Sequence, residues 1–224
     1  MNQTQFLEKQ SEIYNRLKDT RKIRAEGTEP RSLPQGGYLI MFRHSLDTAV
    51  AVERFSRRIA CVVPSIAYDA ETVHTSISDY MLSDDFKVDK EILEKLGRAA
   101  NSIKNQPSPV IEYSSADYPN WLYNQNSVII PGIPDGQFLG LTKMVVDGAK
   151  QEGMELRLPW GAHITTNRFT QKTSPNELKD FFKLMNKAPR LGTSFPIFID
   201  VGYFNFSPAG FIIEVAKDLR VKLR

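Results

Sequence analysis

The chain has 224 residues, 41% hydrophobic and 25% charged, which excludes wholesale disorder and suits one globular domain with a sizeable core. A formal charge of +3 is too small for general nucleic-acid binding by phosphate neutralisation, but it leaves room for a local basic cleft. The single Cys61 excludes an internal disulfide and a Cys-rich zinc site, and its place in the apolar run 59–63 predicts a buried, inert thiol. The polar N-terminus lacks a signal-peptide core and no apolar stretch approaches the ~20 residues that span a bilayer, so a cytoplasmic protein without a membrane partner is expected.

Residues 4–25 are rich in helix formers, with Phe6, Ile13 and Leu17 near one face, and predict an amphipathic helix ended by Gly27 and Pro30. Glycines and prolines over 26–37 read as loop, which gives an N-terminal helix and linker over 1–37 and a main domain over 38–224. Residues 38–43 read as a buried strand, 46–62 as a helix and 72–80 as a strand with His74, Ser76 and Ser78 on one face. Residues 89–104 form a clear helix pattern closed by Pro107 and Pro109.

Two β-leaning runs flank the turn-rich residues 114–120, and 131–136 read as a turn or bulge. A helix over 138–151 and a strand over 160–169 follow, the strand holding His163 and Thr165. Ser174, Pro175 and Glu177 predict a capped helix over 175–187, and two apolar runs joined by Ser-Pro-Ala-Gly predict a closing hairpin. Strands connected by turns as often as by helices favour α+β with antiparallel sheet, and the order of elements suggests two similar halves.

Only three histidines are present, and two head the same pattern: His-Thr-Ser at 74–76 and His-Ile-Thr at 163–165. In a strand, residues i and i+2 share a face, so each imidazole travels with a hydroxyl. Two such strands side by side would aim two proton-transfer groups and two neutral donors into one cleft, enough to hold and cleave a phosphodiester without a metal.

On these motifs, and over roughly residues 38–215, the chain resembles the two-histidine (2H) phosphoesterase superfamily. That superfamily includes RNA 2′,3′-cyclic phosphodiesterases, the bacterial proteins called 2′-5′ RNA ligases, and tRNA-ligase phosphodiesterase domains. The resemblance implies a bilobal α+β fold, two mainly antiparallel sheets flanking a central groove with helices outside. It implies His74 and His163 as acid and base, Ser76 and Thr165 as phosphate-binding groups, no cofactor, and an RNA end or nucleotide as partner. Thr166 and Thr75 stand where the family commonly has apolar residues, and residues 1–37 have no counterpart in its minimal fold.

Arg43 and Arg168 could clamp a phosphate, and Tyr80, Trp160 and Tyr203 could contact a base by stacking. His44 lacks the motif and reads as a surface or supporting residue, and the spacing of Asp79, Asp84 and Asp85 matches no common metal site. A metal-independent cyclic phosphodiesterase, acting as a monomer, is therefore expected. A 3′-end RNA exonuclease or 2′-5′ ligase with the same centre, and a non-catalytic nucleotide-binding module, are the alternatives.

Overall fold

The computed structural model describes every residue except Arg31, Leu33, Pro34, Pro119, Pro208 and Ala209. Pro34 in the expected linker, Pro119 in the turn-rich segment and the Pro-Ala tip of the expected hairpin therefore lie outside the described residues. Two antiparallel sheets carry the fold. The first has the order β10(Gly210–Val215), β9(Phe198–Ser207), β1(Gly36–Arg43), β3(His74–Ser83), with β11(Val221–Lys222) also paired to β9. The second has the order β2(Ser65–Ala67), β7(His163–Phe169), β6(Ser127–Pro134), β4(Ile111–Tyr113), β8(Gly192–Ser194), with β5(Leu122–Tyr123) on β6.

The first sheet is apolar on both faces, so both must be covered. Tyr38, Ile40 and Phe42 of β1 join the main core, next to helices α4(Lys90–Asn101) and α5(Gly136–Gln151). Leu39 and Met41 point the other way and form a second cluster with Phe204, packed against Phe206 and Phe211. Both helices start on an aspartate cap: Asp89 accepts from Glu91 N, and Asp135 from Gln137 N and Phe138 N. Helix α3(Leu46–Ala60) packs on the second sheet through Ser56, whose hydroxyl donates to the Thr166 carbonyl at 2.5 Å.

Four expectations change. The N-terminal helix breaks into α1(Gln3–Lys18) and α2(Arg21–Glu26), because Asp19 leaves the helix and accepts from Arg21 N. Residues 131–134 are strand rather than turn. At Pro131–Gly132 β6 passes from pairing with β7 to pairing with β4, so proline breaks no ladder. Ser174 and Glu177 form their predicted pair, but on a turn, and α6 begins only at Lys179 (Lys179–Met185). Cys61 caps α3 and is exposed, not buried, because the helix ends there and turns its side chain outward.

Candidate active site

β3 and β7 bring the two motifs to one groove of about 350 Å³, within the range of small-molecule sites. The strands share a local irregularity. β1 pairs Met41 with Ser76 and Ile40 with Ser78, leaving Ile77 as an extra residue; β6 pairs Ile129 with Thr165 and Val128 with Asn167, leaving Thr166 extra. The bulge falls three residues after the histidine in both strands. An extra residue reverses the facing of everything after it. Asp79 and Arg168, each five residues past a histidine and so expected on the opposite face, therefore line the groove.

Both imidazoles are held by one device. His74 Nδ1 donates to the Thr72 carbonyl at 2.6 Å, and His163 Nδ1 donates to the Gly161 carbonyl at 3.3 Å. A carbonyl only accepts, so the neutral ring carries its proton on Nδ1 and leaves the Nε2 lone pair free. His74 lies beside the stacked rings of Tyr68 and Phe211, which are 4.5 Å apart, at 6.3 and 6.4 Å from them, while His163 stacks on Trp160 at 4.1 Å and 23°. Burial lowers both rings from 6.5, His74 to about 4 and His163 to about 3, with the Arg168 charge acting in the same direction on each. Each is neutral at neutral pH.

Ser76 and Thr165 line the same groove, and neither hydroxyl has a hydrogen-bond partner among the described residues. The two threonines at apolar positions of the pattern are instead satisfied inside. Thr166 donates to the Val128 carbonyl at 3.3 Å. Thr75 sits at the junction of the lobes: β2 covers β7 only from Asn167 to Phe169, and the Thr75 hydroxyl reaches the uncovered His163 carbonyl at 3.2 Å. Tyr113 OH lies 2.6 Å and His44 Nε2 3.1 Å from that hydroxyl, with Ser194 Oγ 2.9 Å from His44 Nδ1. One donor scheme satisfies them all: Ser194 to Nδ1, Nε2 and Tyr113 to Thr75, Thr75 to His163. It needs a neutral His44, and burial drives that ring from 6.5 to about 3.

Of the other residues singled out in the sequence, Trp160 and Arg168 line the groove. Arg168 Nε is buried without a hydrogen-bond partner, and no carboxylate pairs with its guanidinium among the described residues. A buried donor without an acceptor beside two imidazoles is arranged for an anion. Arg43, Tyr80 and Tyr203 lie outside the groove. Arg43 is held by buried Asp200 at 2.9 Å and donates to the Glu71 and Val73 carbonyls ahead of His74. The bulge at Ile77 turns Tyr80 to the core side with its partner Tyr38. Tyr203, also opposite Tyr38, donates to the Glu214 carboxylate. Groove residues that the sequence reading missed are Arg157, Tyr68, Phe204, Phe206 and Phe211. The Phe-x-Phe spacing at 204–206, with Phe211 across the expected turn, was the signal that could have found the aromatic wall. Among the described residues no group of three or more His, Cys, Asp or Glu could hold a metal ion, and no helix is long and apolar enough to cross a membrane.

The two sheets and the groove between them have the α+β fold of several solved structures, one of them of a phosphoesterase. The particular structures that share it with this chain are distant in sequence. The protein TT0787 of Thermus thermophilus is 12% identical at a TM-score of 0.56, over 84% of this chain and 98% of that one. E. coli LigT in complex with ATP is 12% identical at 0.53, over 84% and 97%, and a crystal structure of a phosphoesterase is 15% identical at 0.54, over 84% and 98%. No family model and no curated protein matches the chain. The likeness is one of fold.

Proposed function

We propose that this protein is a metal-independent phosphodiesterase that hydrolyses 2′,3′-cyclic phosphates on RNA ends or small nucleotides. The observation that carries the reading is the matched pair. Two histidines with Nδ1 committed and Nε2 open share one groove with two hydroxyls and an arginine Nε that have no hydrogen-bond partner among the described residues. LigT, of the same fold, has been crystallised with ATP and with NADP+, which supports a nucleotide ligand.

The chemistry follows from those groups. The phosphate oxygens take hydrogen bonds from Ser76 and Thr165 and the charge of Arg168. The bound anion offsets the Arg168 charge and raises both imidazoles from their depressed values, so that one is protonated in the complex. The neutral Nε2 accepts a proton from water as its oxygen bonds to phosphorus. The P–O bond to one ribose oxygen breaks, and that oxygen takes the proton of the other Nε2. The product is a nucleoside monophosphate, and the two rings have exchanged roles.

The test is product analysis in excess EDTA. The reading expects a 2′,3′-cyclic mononucleotide to be opened to a single monophosphate isomer. Trimming of a 3′-hydroxyl oligonucleotide, or joining of 2′-5′ ends, without cyclic-phosphate hydrolysis would assign the groove to the exonuclease or ligase alternative. Binding without turnover would leave it as a ligand-binding module.

A further inference from the structure

Helix α1 lies outside the two sheets, yet its buried face ends on the second histidine. Phe6, Gln10 and Tyr14 recur every fourth residue on one face, Phe6 and Tyr14 fully buried and Gln10 at 1% exposure. A buried glutamine and a buried phenol need partners, and both find them at one residue. Gln10 Oε1 accepts from Ala162 N at 2.7 Å, and Tyr14 OH donates to the Ala162 carbonyl at 2.6 Å while accepting from Gly132 N at 3.2 Å. Ala162 immediately precedes His163. The neighbouring Gly161, whose carbonyl holds His163 Nδ1, is pressed so closely that a Cβ there would stand 2.9 Å from Gln10 Cγ. Tyr14 also sets its ring edge to Trp160 at 5.7 Å and 81°, and Trp160 carries His163 on its face.

The two motifs are thus anchored differently. The backbone before His74 is held from within its own lobe by Arg43. The backbone before His163 is held by side chains of the N-terminal helix. We infer that α1 is a working part of the site, with Gln10 and Tyr14 as positioning residues that fix the aim of His163 Nε2 and the seat of Trp160. The inference rests on the proposed role of His163. Because reacting groups tolerate little misplacement, loss of either side chain reaches the chemical step rather than ground-state binding alone.

The experiment compares Tyr14→Phe and Gln10→Ala with Gln3→Ala, which touches the Pro134 and Asp135 carbonyls from the same helix. Both positioning variants are expected to lower kcat on the order of 10-fold, with KM within about twofold. In ¹H–¹³C spectra the His163 ring signals and midpoint should shift while those of His74 and His44 hold, and Gln3→Ala should move neither. Unchanged kcat and an unchanged His163 ring in folded variants overturn the inference, as do equal shifts of all three histidines. If Tyr14→Phe does not fold, Gly161→Ala decides. Its added methyl should displace Gln10 and lower kcat, and adding Gln10→Ala should cost nothing more, whereas additive losses overturn the assignment. Should the wild type hydrolyse no phosphodiester, the functional reading falls, while the ring spectra still decide whether α1 orients His163.

Discussion

His44 gives the sharpest quantitative test of the buried network. His44 is 5% exposed, and burial, with the neighbouring His74 and Arg43 charges, lowers its ring to about 3, while the unfolded chain protonates it near 6.5. The sign follows from the depressed value. Below about 6.5 the unfolded state takes up a proton that the folded state refuses, so stability falls as pH falls and goes on falling until about 3. Between pH 7 and pH 5 one such histidine costs about 2 kcal/mol. His44 and His74 together cost about 4 kcal/mol, and His163, more open to the groove, adds less. The perturbation is His44→Gln, which keeps a polar group for Ser194 or Thr75 but cannot titrate. Urea unfolding of both proteins at pH 7 and pH 5 reads the effect, and carboxylate contributions cancel in the comparison. The wild type should lose about 2 kcal/mol more than the variant over that interval. Equal losses would refute the assignment of a neutral, network-bound His44.

Three further outcomes are expected. The bell-shaped profile of kcat/KM, which reports the free groove, should lie on the acid side of 6.5, because His74 is held at about 4 and His163 at about 3. The profile of kcat should lie at higher pH, because bound phosphate raises both rings; coincident profiles would contradict this. Arg168→Ala should lower kcat/KM about 100-fold, with Arg168→Lys recovering only part because an ammonium lacks the bidentate fork, measured at fixed ionic strength. Thr75→Val removes the hydroxyl shared by Tyr113, His44 and the His163 carbonyl. It should cost about 1–3 kcal/mol in urea unfolding and lower kcat, since the junction between the histidine strands loosens.

The fold class and the four motif residues were legible because period-2 patterning and two repeated His-x-hydroxyl triplets are local signals. Past each triplet legibility failed for a single reason. A one-residue bulge leaves no mark on hydrophobic pattern, yet it reverses which side chains reach the groove. Strict alternation would therefore keep Tyr80 on the groove face, where the structure has Asp79, and the same alternation would turn Arg168 away. The place of Arg43 is illegible for another reason: its partner Asp200 lies far along the chain on β9, so no spacing reveals that the two are paired. The contribution of α1 was equally hidden. Gln10 and Tyr14 look like ordinary positions of an amphipathic helix until their partner, the backbone of Ala162, is known.

The central claim, that His74 and His163 act together on one phosphodiester, is met most directly by a double-mutant cycle on cyclic-phosphate hydrolysis in EDTA. Groups that act as one unit lose together. His74→Ala and His163→Ala should each remove at least about 1000-fold of the wild-type rate, and the double variant should be no slower than either single one. Near wild-type turnover in either single variant, or losses that multiply in the double, would contradict a shared centre.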